Sequence, residues 1–413
     1  MSAAGETSDV VTRTAQTAYG RLIAYLSARN RDIAACEDAL SAAFQAALET
    51  WPGQGVPERP EAWLLTAARN RLNNAYRRAR VRAEAEPTLI ALMDEAETMA
   101  NRTDPVFPDD RLKLMFVCAH PAIAAEVRTP LMLQTVLGLS AERIASAFVV
   151  KPSAMAQRLS RAKAKIRDAG IAFEVPEAAE WPARLAPLLD AVYAAYGLGW
   201  GDHAGEDGAM RGLVDEALEL GFALLALLQK RPMIVPELNG LLALILYCEA
   251  RATTRFAAGA YVPLSAQNPA QWDWSMIDKA NRLLSAAEPL RQIGRYQLEA
   301  AIQSVHLRRG VTGITDWAEI VVLYQGLLHY APSLAAGIGY AAALGEARGA
   351  EAGLAVLDGI EAARIADYQP YWATRAHLLQ RLKRPEADAA FERAIGLSAH
   401  EAQRAFLRRK QAQ

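Results

Sequence analysis

LSAERIASAFVVKPSAMAQRLSRAKAKIR, residues 139–167, is the stretch that decides the fold. It reads as two helices joined by a tight turn. Ser140 can cap the first, in which Ile144, Ala145 and Phe148 face inward. Val149-Val150-Lys151 makes the turn, and Pro152 suits a first helical position, where its missing N–H has no partner to lose. Met155, Leu159, Ala162 and Ile166 then recur at helical spacing as a buried stripe. Ser153, Gln157, Arg158, Ser160, Arg161, Lys163, Lys165 and Arg167 fall on the other faces. A helix entering a DNA groove needs that distribution: amides and guanidiniums near its start reach base edges, and later cations take phosphates. The plainer alternative is a surface helix with a solvated basic face.

Working outward, a second polar helix runs over EAWLLTAARNRLNNAYRRA, residues 61–79. Leu64, Ala68, Leu72 and Tyr76 form its inner stripe, and Arg69, Asn73 and Arg77 share the opposite side with Asn70 and Asn74. Asparagine lowers helix propensity, so several on one helix suggest a role for their amides, such as pairing with exposed bases. Before it, residues 37–51 (EDALSAAFQAALETW) carry an apolar stripe of Leu40, Phe44, Leu48 and Trp51, and the Pro- and Gly-rich stretch 52–60 follows as a loop.

The charge pattern supports a polyanionic partner. Residues 1–170 hold 22 Lys and Arg against 19 Asp and Glu, while residues 171–413 hold 23 against 27. Seven arginines lie between Arg59 and Arg82, and seven basic residues between Arg143 and Arg167. Between these islands, Glu84 to Asp110 carries eight acids and one arginine. Two basic islands around an acidic linker suit two contacts with one polyanion.

The whole chain of 413 residues is long enough for two or three domains, and its Ala- and Leu-rich periodic runs predict an all-helical fold. Expected segments are 10–82, a linker at 83–110, a helix-turn-helix unit at 111–170 and a helical array at 171–413. In that array Leu378–Leu382, Glu386-Ala387 and Phe391–Ile395 resemble one tetratricopeptide helix pair, with Phe391 filling the groove between the helices. No apolar run reaches membrane-spanning length, and the N-terminus lacks signal-peptide regions, so a cytoplasmic location without a membrane contact is expected. Cys36, Cys118 and Cys248 are widely spaced and suggest neither a disulfide framework nor a metal site.

Taken together, these motifs resemble the extracytoplasmic-function sigma factors of the group with a C-terminal helical, tetratricopeptide-like extension. The matching stretches are EDALSAAFQAALETW (37–51), PEAWLLTAARNRL (60–72), DDRLKLMFVCAHPAI (109–123), LGLSAERIASAF (137–148), MAQRLSRAKAKI (155–166) and TDWAEIVVLY (315–324). The resemblance implies core RNA polymerase and promoter DNA as partners. Helix 37–51 is the implied polymerase-docking element, through Asp38, Phe44 and Trp51. Helix 61–79 is the implied reader of the −10 region, through Arg69, Asn70, Asn73, Asn74, Arg77 and Arg78, with Asn70 beside a flipped base. Helix 152–167 is the implied reader of the −35 element. There Gln157, Ser160 and Arg161, with Ser153, face bases, while Arg158 and Lys163 take phosphates.

Some positions depart from that family. Asn73-Asn74 stands before Arg77-Arg78 where relatives commonly have Asp, and Val149 stands where the turn usually has glycine. The extension has Tyr196–Trp200, Gln267-Asn268-Pro269 and Gly337–Tyr340 in place of the family's motifs. A partner of the extension, within this chain or outside it, is left open, and truncation near residue 175 is expected to leave a folded core.

Other chemistry finds little support. Asp202, His203, Glu206 and Asp207 share a glycine-rich loop but lack a second histidine at ligand spacing, and Cys118 and His120 cannot complete a metal site. No nucleotide-binding or nucleophile motif appears, so neither catalytic residues, a cofactor nor a metal is expected. Two other classes stay open beside the sigma factor: a helix-turn-helix regulator, which leaves 37–82 without a purpose, and a helical scaffold, which ignores both basic islands.

Overall fold

The computed structural model describes residues 3–82, 109–201, 208–229 and 235–413. Residues 83–108 of the expected linker and the loop 202–207 lie outside them. The described residues are helical almost throughout, as the sequence predicts. Strand pairing among them is confined to β1 (Phe256–Ala257) and β2 (Ala260–Tyr261). Ala258 and Gly259, both at positive φ, form the two-residue turn between these strands.

The chain divides into compact units at Leu224/Leu225. The first holds α1 (Ala3–Asn30), α2 (Ile33–Gln54), α3 (Pro60–Arg82), α4 (Arg111–Cys118), α5 (Ala125–Thr135), α6 (Ala141–Ala147), α7 (Pro152–Asp168), α8 (Pro182–Gly201) and most of α9 (Gly208–Gln229). Leu22 to Ser27 of α1 are buried without interruption, which a helix shows when neighbours cover it on every side. Those neighbours are α2 and α3 on one side, α4 and α5 on the other. The two expected modules, 10–82 and 111–170, therefore share a core instead of standing apart.

Residues 171–224 belong to the same compact unit as residues 111–170. Trp181 is 0% exposed, its ring 5.2 Å from that of Phe116 in α4, and its indole N–H donates to the Pro176 carbonyl at 2.8 Å. Arg184 donates to the Phe116 carbonyl at 3.3 Å. Arg111, 2% exposed, holds Asp109 through paired hydrogen bonds and reaches Glu216 and Glu219 of α9. A guanidinium so buried needs those carboxylates, because an unpaired buried charge is strongly unfavourable.

The second unit is a succession of helices, most of them packed on the next. Its centre is α10 (Pro236–Glu249), buried from Leu238 to Cys248 between α11 (Trp274–Ala287) and α12 (Arg295–Thr312). Glu237 caps α12, accepting from the Tyr296 and Gln297 amides at 3.0 and 3.2 Å. Then follow α13 (Trp317–Tyr330), α14 (Leu334–Arg348), α15 (Ala350–Asp358), α16 (Ala362–Ile365), α17 (Gln369–Arg381), α18 (Glu386–Leu397) and α19 (Glu401–Gln411). Phe391 is buried in the core shared by α14 to α19, as its place in the repeat-like pair predicts.

Removing the indole by Trp181→Ala should cost about 3–5 kcal/mol, the usual range for a buried aromatic. Truncation near residue 175 should likewise leave an incompletely covered α4, contrary to the expectation from sequence. Denaturant unfolding of the first unit measures both; unchanged midpoints would contradict the shared core.

Candidate nucleic-acid interface

The helix-turn-helix forms where the sequence places it. Ser140 Oγ accepts from the Arg143 amide at 3.3 Å, and Pro152 opens α7. Met155, Leu159, Ala162 and Ile166 are all buried, the stripe expected from their spacing. On the outer faces, Ser153, Gln157, Arg158, Ser160 and Arg161 are exposed along the first two and a half turns. They form a contiguous donor-rich surface of hydroxyl, amide and guanidinium groups.

Lys163 departs from the expectation. It is 8% exposed and its ammonium pairs with the carboxylate of Glu37 on α2. Three positions after Ser160 and four before Arg167, it lies on the side of α7 turned to α2 and not on the outer face. Lys163, expected to take a phosphate, has its charge matched inside the protein in this arrangement. Arg167 makes a looser pair with Asp32, 3.6 Å apart, at the start of α2. Burial pushes the Glu37 carboxyl above its ordinary value, while Lys163 pulls it down. The sequence signal for this contact, an acid at the start of one helix and a lysine late in another, carries no information on which distant residue it meets.

The turn between α6 and α7 has a backbone that would suit glycine. Val149 has φ +54° and is 91% exposed. A β-branched side chain in the left-handed region is strained.

Helix α3 presents the second polar surface. Leu64, Ala68 and Leu72 are buried, and Asn70, Asn74 and Arg77 are exposed. Asn73 is half-buried. Arg69 is also half-buried, its guanidinium 5.7 Å from the Tyr25 ring of α1, so it braces the helix from within the unit. The side chains of Tyr76 and Arg78 lie outside the described residues.

On α2, Asp38 is exposed and Phe44 half-buried; both line a cavity of about 780 Å³ with residues of α1, α9 and the start of α6. Trp51, expected at the docking surface, is 2% exposed here, its ring 5.4 Å from Trp63 in an edge-on contact, and packs in the core. Leu48, of the same apolar stripe, is 46% exposed. Its outward position beside Phe44 adds an apolar group to the outer face of α2. Among the described residues no group of His, Cys, Asp and Glu is placed to hold a metal ion. Cys118 is buried against the Thr135 hydroxyl at 3.5 Å, and the expected loop cluster of Asp202, His203, Glu206 and Asp207 lies outside the described residues.

Comparison with known proteins gives this arrangement a family. Residues 15–82, from within α1 to the end of α3, match sigma-70 region 2. The chain is a member of the sigma-70 family. Residues 184–288 match a family of unknown function, designated DUF6596, which begins inside α8 and ends in the second unit. An uncharacterized protein of Rhizobium meliloti (strain 1021) is 38% identical over 396 residues, 95% of this chain and 92% of the relative. At that identity and coverage the two belong to one family. No solved structure matches the chain. Among the described residues of this sigma-70 family protein, no helix is long and apolar enough to cross a membrane.

Val149→Gly should raise stability by about 1 kcal/mol, the ~1–2 kcal/mol of left-handed strain less the ~0.5–1 kcal/mol entropy of an added glycine. Thermal unfolding measures it; a lowered midpoint would show that the valine is held by contacts absent here.

Proposed function

We propose that this protein is a sigma subunit of the extracytoplasmic-function type, binding core RNA polymerase and directing it to promoters from the cytoplasm. In this reading α7 enters the major groove at the −35 element. Gln157, Ser160 and Arg161 meet base edges, Ser153 meets DNA at the helix start, and Arg158 takes a phosphate. Helix α3 takes the separated strand at the −10 element, with Asn70 hydrogen-bonding an extruded base and Asn73, Asn74, Arg77 and Arg78 along the backbone. Arg69 supports that surface from below. The outer face of α2, with Asp38, Phe44 and the exposed Leu48, docks on polymerase. The helical second unit is the tetratricopeptide-like extension.

The observation that carries this reading is the exposed face of α7 within a chain whose α1 to α3 match sigma-70 region 2. A regulator using only the helix-turn-helix would need neither α3 nor its three asparagines. No catalytic step, cofactor or metal enters the reading. The work is done by contacts that differ between closed and opened DNA.

Gln157→Ala and Arg161→Ala should each weaken holoenzyme binding at the −35 element by ~1–3 kcal/mol and relax sequence preference there. Arg158→Ala should weaken all promoters alike and flatten the salt dependence. Competition binding on −35 variants separates the two classes, and equal loss of preference in all three would refute the assignment of faces. Asn70→Ala should spare duplex binding and reduce permanganate reactivity of −10 thymines. Unchanged reactivity would remove Asn70 from strand opening.

A further inference from the structure

The geometry points to a binding site for a small organic amine in the cavity of about 780 Å³ lined by α1, α2 and α9, where Glu37 and Asp38 take the ammonium group and Phe44 and Leu213 the apolar body. This site goes beyond the sigma reading and does not depend on it.

The cavity lies wholly within the first unit. Its volume falls in the range of small-molecule sites, roughly 300–1,000 Å³, and its wall mixes apolar surface with a few polar groups as such sites do. The ionised side chains on the lining are Glu37, Asp38, Glu216 and Arg143, so acids outnumber bases by three to one. A concave, partly apolar wall focuses that negative potential and favours a cation over an anion. Not all of the acid is free for a ligand. Glu216 is committed to Arg111, and one oxygen of Glu37 to Lys163. What remains is the exposed carboxylate of Asp38 and the other oxygen of Glu37.

A second observation says which kind of group is missing. Glu37 Oε1 and the Gln134 amide oxygen are shielded from bulk solvent and have no hydrogen-bond partner among the described residues, and both residues line the cavity. Each is an acceptor, so the lack is of donors. Buried acceptors without donors are uncommon in folded proteins, and two on the wall of one cavity are accounted for by a ligand that brings the donors. An ammonium carries three N–H donors and no acceptor, an alcohol a single donor, and a carboxylate none. The state of Glu37 agrees: burial holds its carboxyl above the ordinary value, and Lys163 offsets this only in part. A second cation completes its pairing. On the apolar side, Leu213 is buried and Phe44 half-buried, which gives an aliphatic or aromatic body a surface to cover. Helix α9 lies in the stretch that matches the family of unknown function, and α2 in the region 2 match. A bound amine therefore touches both matched regions at once.

The test titrates the full-length chain with dansylcadaverine, a primary amine on an apolar fluorophore. Its N-acetyl derivative and dansyl-aminohexanoate keep the same body with a neutral and a negative head. The amine should give a saturable rise in dansyl emission at one equivalent, and both analogues should bind about tenfold more weakly, the worth of one charged hydrogen bond. Gly212→Phe fills the cavity from α9, where a β-carbon would meet nothing within 4 Å, and Ser41→Phe fills it from an exposed position on α2. Each should lower the affinity for the amine at least about tenfold while circular dichroism stays native. Glu37→Gln keeps the side-chain shape without the charge and should remove the preference for the amine over its acetylated form. If the loss of a partner for Lys163 unfolds that variant, the head-group series and the filled cavities decide. No saturable binding, equal affinity for the three heads, full affinity in both filled variants, or an unchanged preference in folded Glu37→Gln would overturn the proposal. Failure of the sigma reading would leave these titrations as they are and appear only in transcription.

Discussion

The first unit depends on the burial of α1 from all sides. Leu22, Ile23, Ala24, Tyr25 and Leu26 leave no turn of that stretch free for solvent. A helix of this kind must find apolar partners around its whole circumference, and here region 2 supplies one half and the unit after the linker supplies the other. The placement of α4 and α5 and the position of α7 against α2 follow from that requirement. So does the role of residues 171–224, since α4 needs Trp181 and Arg184 on its remaining side.

Charge is arranged to agree with this packing. The basic residues of α7 divide into an outward set, Arg158, Arg161 and Lys165, and a set paired with acids at the start of α2, Lys163 and Arg167. Arg111 repeats the pattern at the start of α4, with carboxylates drawn from its own loop and from α9. The excess acid of the C-terminal half is therefore not a diffuse property. Two of its carboxylates, Glu216 and Glu219, act as counter-charges within the first unit.

What the sequence made legible was local. The spacing of Met155, Leu159, Ala162 and Ile166, the cap at Ser140 and the proline at 152 place α6 and α7 almost to the residue, because each works within one or two helical turns. The inner stripe of α3 follows from the same periodicity. Long-range partners were illegible for a physical reason: helical spacing says which face is buried, not what buries it. Hence Trp51 read as a docking residue although Trp63 covers it, and Lys163 as a phosphate contact although Glu37 neutralises it. How far a core extends is equally hidden, since glycine and proline mark the end of a helix but not the end of a core. Val149 stood out in the sequence only as a departure from the resembled family's glycine, and its φ of +54° is visible only in the structure.

The most direct measurement of the central claim, that this sigma-70 family protein directs initiation, is transcription by purified core polymerase on genomic DNA with and without the full chain, followed by mapping of RNA 5′ ends. The account predicts new starts that share two upstream elements at a fixed separation, one for each reading helix. A set of starts identical to that of core polymerase alone, with the chain folded and bound to duplex DNA, would contradict it and leave a helix-turn-helix regulator in its place.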